Sequence, residues 1–387
     1  MVDLGTAPPE TPQAAYERYR KVRFFGSLNG LRLLCIGMVL WHHSPILRSL
    51  DEPVKLLGRG FLGVDFFFVL SGFLITTLLL REEARDGTFS LRGFYLRRIL
   101  RIIPVYFLIV TGMSVYWVWY KGLDHLAPLV PYYYLFLSNF LIGDIPLLSV
   151  TWSLAVEEQY YLMWPLLLLV LPRHWRTPAL IALIALCVAS AAGLFAPLGL
   201  KPVRTDHAVW ALPATGYSAI LIGSLSALTL HHAAGFRMLY RLCGTRLAPV
   251  LAFAALVLVI SLTPGRLTGF PNLLVHSTMA LCLITLVIRE DHLLASILGK
   301  RAISRVGEIS YGIYLYHLIA LHFASEIATW LSLPPAIEPY VVTPLFVLMS
   351  IVIADISFRT FERFFLNLKP APKAVSRINA TRDDMAH

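Results

Sequence analysis

Arg32 and His43 share one apolar stretch, Leu28 to Leu47, that is long enough to cross a bilayer. Eleven positions at ~100° each return them to nearly the same helix face, about 16 Å apart along the axis. An Arg near a membrane centre costs roughly 2.5–3.5 kcal/mol on insertion scales. A chain that keeps one beside a His on the same stripe reads as lining a polar cavity. The competing reading has Arg32 snorkelling to cytoplasmic headgroups and His43 at the far interface, so other segments must decide.

Those segments carry carboxylates. The next apolar run opens Gly63-Val-Asp65-Phe-Phe-Phe-Val-Leu-Ser71-Gly72, and a later one opens Trp152-Ser153-Leu-Ala-Val-Glu157-Glu158-Gln159. On a topology with the N-terminus inside, Asp65, Glu157, Glu158 and His43 can all occupy the outer half of a bundle. A His beside a carboxylate there suits general-base work, because the carboxylate orients the ring and stabilises the imidazolium. Headgroup-level placement is the alternative for both Glu residues. His42 competes for the base role, but it points about 100° off the Arg32 stripe and reads as structural or interfacial.

Two further patterns stand out. Arg98 and Arg101, at i and i+3, are neighbours on one helical face and can grip a phosphate, although plain anchoring at a basic membrane face explains them equally. Ser310, Tyr314 and His317 fall on related faces of one span, either as a polar seam between helices or with His317 reaching a ligand.

These residues need a membrane scaffold to position them. The 387 residues are 57% hydrophobic and 14% charged, against about 25% charged in a soluble domain. The net charge of +10 comes from Lys and Arg that punctuate apolar runs, a pattern of cytoplasmic loops and not of nucleic-acid binding. Cys35, Cys187, Cys243 and Cys282 lie far apart in or beside apolar segments, with no metal-ligand or disulfide spacing, and read as small core residues. The start of the chain, with Pro8, Pro9, Glu10 and Pro12 before Arg18, Arg20, Lys21 and Arg23, is not a cleavable signal peptide and reads as a cytoplasmic tail.

Ten segments read as membrane helices: 28–48, 60–80, 102–120, 152–171, 178–196, 210–230, 248–263, 271–288, 309–330 and 341–361. Putting both termini in the cytoplasm places the most basic loops (81–101, 172–177, 231–247 and 289–308) inside, and leaves Arg48, Lys55, Arg59, Lys121, Lys201, Arg204 and Arg266 spread over the outer ones. Residues 131–142 are apolar but short and read as a re-entrant or interfacial piece near the outer face. The expected fold is therefore an all-α polytopic bundle of about ten spans. Residues 28–365 form one transmembrane domain between cytoplasmic tails at 1–27 and 366–387.

Together these segments resemble the membrane acyltransferase-3 family. The likeness rests on five stretches in order: Leu28-Asn-Gly-Leu-Arg32 through His43, Gly63-Val-Asp65 through Ser71-Gly72, Arg97-Arg98-Ile-Leu-Arg101 through Pro104, Trp152 through Gln159, and Ser310 through His317. The resemblance implies transfer of an acyl group, by default acetyl, from acyl-CoA to a carbohydrate or glycosylated acceptor. It implies Arg32 and His43 as the paired residues of the first helix, Arg98 and Arg101 as donor-binding, and Glu157 and Glu158 as an acidic pair. Asn29 stands where Asp is commoner, and Leu318 where Pro often follows the last His. The chain is not expected to hold a permanent cofactor or a metal. With no hydrolase-like domain after the last span, it is expected to work alone or with a separate periplasmic or extracellular partner, in a bacterial inner membrane among its lipids.

The expected chemistry seats CoA phosphates on Arg98 and Arg101, with Arg32 holding the donor or stabilising charge. His43 acts as base, oriented by Glu157, Glu158 or Asp65, and Ser71, Trp152, Ser153, Tyr314 and His317 line the chamber. Direct transfer is favoured over an acyl-enzyme, for which Ser71 and Ser153 are the candidate nucleophiles. A glycan transporter or flippase is the rival from another class, and it calls for paired repeats and broken helices that the sequence does not display. A structural or sensory protein leaves five polar motifs unexplained.

Overall fold

The computed structural model describes residues 10–368, apart from 23, 52, 53, 214 and 266 and the side chain of Thr215. Of the expected tails 1–27 and 366–387, residues 1–9, Arg23 and 369–387 lie outside the described residues, as does the loop cation Arg266; residues 12–21 are not a loose tail but a helix that buries Ala15 and Tyr19 in the core. The main helices are α1 (Pro12–Lys21), α2 (Ser27–His42), α3 (Leu62–Asp86), α4 (Leu91–Ser114), α5 (Thr151–Val170), α6 (Arg173–Ala191) and α7 (Thr215–His231). They continue with α8 (Ala233–Cys243), α9 (Ala248–Leu262), α10 (Phe270–Ile288), α11 (Arg301–Glu308), α12 (Ser310–Trp330) and α13 (Glu338–Ser357). A short antiparallel hairpin, β1 (Val203–Arg204) with β2 (Val209–Trp210), is the one sheet among the described residues.

All ten expected segments are helical, but five helices are long and apolar enough to cross a membrane by length and composition. These are Leu62–Asp86, Leu91–Tyr120, Arg173–Ala191, Phe270–Ile288 and Glu338–Asn367. A sixth candidate is the pair Gly216–His231 and Ala233–Cys243, bent by 102°. The expected count of about ten is not reached on this measure, for identifiable reasons. Helix α2 has 16 residues and α9 has 15, while α5 and α12 are long but carry Glu157, Glu158, Gln159, His317, His322 and Glu326. Polar residues thus exclude α5 and α12, and length excludes α2 and α9, whereas α3 and α4, which carry Asp65, Ser71, Arg98 and Arg101, pass.

Boundaries shift where local chemistry dictates. The first segment does not run to residue 48. Ser44 is extended ahead of Pro45, as a residue preceding proline prefers, and its Oγ accepts from the Leu47 amide at 3.2 Å to start a separate turn. Arg97, Arg98 and Arg101 are not in a loop. Gly87, at φ +80°, stops α3, and Ser90 caps α4, accepting from the Gly93 amide at 3.1 Å. Residues 131–142 form short helical turns, not a span. Tyr106 on α4 donates to the Tyr133 carbonyl at 2.8 Å and stacks on Phe136 at 4.5 Å.

Two apolar clusters build the core. One gathers buried faces of α1, α3, α6, α7 and α10, and the other those of α4, α12 and α13 with residues 129–150. Helix α3 packs most extensively on α7. A Cβ at Gly72 would sit 1.9 Å from the Ile220 carbonyl oxygen, and one at Gly223 would sit 2.0 Å from that of Val69. Reciprocal glycines therefore bring these two backbones into direct contact, a device of membrane helix packing. Leu251, Val257, Leu258 and Leu262 on α9, and Leu348, Val352 and Ile356 on α13, are exposed, as lipid-facing surfaces require.

Candidate functional site

A cavity of about 290 Å³ opens at the seam of the two clusters, lined by Phe25, Phe68 and Ile75 from one and Leu154 and Tyr314 from the other. Into it point Arg32 from α2, Ser71 and Arg81 from α3, Arg98 and Arg101 from α4, Ser153, Glu157 and Tyr161 from α5, and Tyr314 from α12. The i, i+3 spacing of Arg98 and Arg101 turns both guanidiniums onto this face, as the spacing predicts.

Each charged group has a distinct support. Arg32 donates to Asn29 Oδ1 at 2.8 Å, and Asn29 Nδ2 donates to Ser304 Oγ at 2.9 Å. An amide serves both neighbours at once, which accounts for Asn at this position. Arg98 lies over the rings of Tyr161 (5.4 Å) and Phe94 (5.8 Å) without a carboxylate partner among the described residues. Arg81 donates to the carbonyls of Val22 (2.5 Å) and Tyr19 (3.0 Å) and stacks on Tyr19 and Phe25. Glu157 accepts from Ser71 Oγ and from Tyr161 Oη, each at 2.9 Å. Four guanidiniums against one carboxylate give this chamber an excess of positive charge.

The other sequence-derived candidates lie elsewhere. His43 does not line the cavity. It caps the C-terminal end of α2, half-buried, with its ring centre 5.0 Å from that of His317 and 5.1 Å from that of His42. The connection to the cavity runs through α12. His317 is wholly buried with Nδ1 2.6 Å from the Tyr314 carbonyl, and the Tyr314 hydroxyl is 2.7 Å from Ser153 Oγ and donates to the Val150 carbonyl at 2.9 Å.

The expected carboxylate partner of His43 is corrected. Asp65 is buried 3.4 Å from His276 Nε2, and His276 Nδ1 is 3.1 Å from Ser218 Oγ. Both Glu157 oxygens are taken by Ser71 and Tyr161. Glu158 does not line the cavity, and its Oε1 is buried without a hydrogen-bond partner. Trp152 is partly exposed, edge-on to Phe68, and outside the lining.

Sequence reasoning missed Arg81, taken for a loop cation, and Tyr161 and His276. A lone His in the apolar run 271–288 demands a polar partner just as Arg32 does, so that signal was available. Among the described residues no group of three or more His, Cys, Asp or Glu could hold a metal ion.

Comparison with known proteins identifies the family. Residues 25–359 match the family model of the acyltransferase domain Acyl_transf_3. The chain is 31% identical over 326 residues to a Bacillus subtilis protein provisionally named peptidoglycan O-acetyltransferase YrhL, covering 78% of this chain and 49% of that protein. It is 27% identical over 369 residues to peptidoglycan O-acetyltransferase OatA of Listeria monocytogenes, covering 89% of this chain and 56% of the relative. A Staphylococcus aureus protein provisionally named as an O-acetyltransferase is 25% identical over 373 residues, covering 90% and 58%. The chain thus spans about half the length of these relatives. No solved structure matches it. With its motifs gathered round one basic chamber and the family model covering nearly its whole length, the chain belongs to the acyltransferase-3 family.

Proposed function

We propose that this chain is an integral-membrane O-acyltransferase that moves an acyl group, acetyl by default, from acyl-CoA to a hydroxyl of a carbohydrate acceptor on the opposite side of the membrane. One observation carries the reading. The chamber concentrates Arg32, Arg81, Arg98 and Arg101 at the end of the bundle where α3 and α4 meet, as a polyanionic donor with two phosphate groupings requires. The names of the relatives, two of which cite peptidoglycan, support a carbohydrate acceptor.

In this reading Arg98 and Arg101 hold donor phosphates on the cytoplasmic side and the thioester arm threads the bundle. The acceptor hydroxyl gives its proton to His43, its oxygen attacks the thioester carbonyl, the C–S bond breaks, and His43 returns the proton to the leaving thiolate. Arg32, which shares the chamber with Arg98 and Arg101, helps hold the donor. The accompanying topology has about ten spans, both termini in the cytoplasm of a bacterial inner membrane, and residues 131–142 near the outer face. Here α2, α5 and α12 are counted as spans screened from lipid by their neighbours.

Membranes containing the chain, supplied with acetyl-CoA labelled on the acetyl group, are expected to release free thiol and to build alkali-labile label on carbohydrate. His43→Ala abolishes this at unchanged membrane abundance. Full turnover by that variant removes His43 from the reaction. Glycan movement without thiol release makes the chain a transporter instead.

A further inference from the structure

His317 makes an unusual demand. Its Nδ1 lies 2.6 Å from a backbone carbonyl oxygen, that of Tyr314. A carbonyl only accepts, so Nδ1 carries the proton, and in the neutral ring Nε2 is left with its lone pair. That Nε2 is fully buried and has no hydrogen-bond partner. An orphaned buried acceptor costs roughly 1–3 kcal/mol, and a native structure that keeps one calls for an explanation. The nearest ring to it that can donate is His43, 5.0 Å away centre to centre and tilted by 52°. The other ring beside it, that of Tyr314 at 5.6 Å, already bonds Ser153 and the Val150 carbonyl, which leaves His43 as the donor for this lone pair.

The support behind His317 is stiff. Tyr314 is pinned by Ser153 and by the Val150 carbonyl at the head of α5, so the carbonyl that fixes the His317 tautomer cannot drift. His42, on the other flank of His43, is turned edge-on to Phe61. Among the described residues no hydrogen bond or ion pair joins His43 to a carboxylate: Asp65 faces His276, and Glu157 accepts from Ser71 and Tyr161.

We propose that His317 is the positioning residue of this enzyme. Its Nε2 accepts an N–H from His43, selects the tautomer of His43 that leaves the other ring nitrogen free as base, and shares the proton gained during transfer. This rests on the proposed role of His43 as base. The pair takes the place an Asp–His pair occupies in soluble acyl-transfer enzymes, with a neutral partner that avoids burying a carboxylate in an apolar wall. No net proton is stored. The acceptor's proton passes to His43, spreads toward His317 while the C–O bond forms, and leaves on the thiolate as the C–S bond breaks.

The test uses the full chain in lipid nanodiscs with 15N-labelled histidine, the His43 and His317 signals being assigned by loss in His43→Asn and His317→Gln. In the wild type we expect His317 as the Nδ1-protonated tautomer, His43 as a single tautomer, and 15N–15N coupling across the N–H···N bond. His317→Ala should mix the His43 tautomers and lower kcat for acetyl-CoA thiol release 10–100-fold, the range for a group that orients a reacting residue, with KM for acetyl-CoA unchanged. His317→Gln, whose Oε1 can accept the same N–H, should recover most of kcat. A wild-type His317 protonated on Nε2, or a His43 signal indifferent to His317→Ala, overturns the proposal. The wild-type spectrum needs no turnover, and its assignment needs only the conservative variants His43→Asn and His317→Gln. Failure of His43 as base, read from full activity of His43→Ala, therefore shows separately from failure of the pair.

Discussion

Replacing Gly72 with Ala probes how tightly packing and chemistry are coupled in this protein. The new Cβ would lie 1.9 Å from the Ile220 carbonyl oxygen. A relaxed C···O approach is about 3.3 Å, so α3 and α7 must part by roughly 1.4 Å at this crossing. Overpacking of this kind costs about 1–3 kcal/mol. The shift cannot stay local. Tyr160 on α5 places its hydroxyl between Thr76 on α3 (3.3 Å) and Ser224 on α7 (2.7 Å), so parting the helices breaks one of those bonds. Ser71, the neighbour of Gly72, holds Glu157 at 2.9 Å, and a displacement of ~1 Å carries that pair out of hydrogen-bond range. Misplacement of that size in an active site costs on the order of 10²-fold in rate. We expect Gly72→Ala, and equally Gly223→Ala, to lower both the melting temperature of the purified protein and the rate of acetyl-CoA thiol release. Gly112→Ala is the control. Nothing lies within 4 Å of its Cβ position, and Ala in a helix interior gains up to about 1 kcal/mol, so stability should hold or rise. A Gly72→Ala protein that melts and turns over like the wild type would refute the claim that this helix contact sets the position of Ser71 and Glu157.

Two other predictions follow from groups remote from the chamber. Arg59 is buried and donates to the Ile260 carbonyl (2.5 Å), Thr263 Oγ1 (2.6 Å), the Thr263 carbonyl (3.1 Å) and the Pro264 carbonyl, closing the C-terminal end of α9. Arg59→Ala strands those carbonyls at about 1–3 kcal/mol for each left buried. Hydrogen exchange should accelerate in the last turn of α9, and unchanged protection there contradicts the assignment. Asp291 accepts from Arg289 at 2.6 Å and from Arg246 at 3.0 Å, and these hydrogen bonds hold its carboxyl below the usual carboxylate range. A folded pKa below the unfolded value stabilises above roughly pH 4, and that contribution is lost as pH falls through the folded pKa. Below pH 4 the protection factor of the Leu293 amide, which donates to the Arg246 carbonyl at 3.0 Å, should therefore fall below its value at pH 7. Asp291→Asn should show a low protection factor at both, and a wild-type protection factor indifferent to pH argues against the clasp.

What could be read from the residues alone divides along a physical line. Arg32, Ser71, Arg98, Arg101, Ser153, Glu157 and Tyr314 all reach the chamber, because intramembrane polarity and helical spacing each constrain a side chain within its own helix. Pairings between helices are different. The partners of Asp65 and His43 depend on which faces α2, α3, α10 and α12 turn toward one another, and that is decided by close packing at glycines such as Gly72 and Gly223, not by periodicity. The same distinction explains the spans. Apolarity finds α4, α6 and α13, whose faces are largely exposed, and also α3 and α10, which are mostly buried by their neighbours. Helices α2, α5 and α12 hold the Arg, Glu and His groups that chemistry needs. They tolerate that polarity only because neighbours shield them. Arg98 and Arg101 are the exception, since α4 passes as a span and still brings both guanidiniums to the chamber.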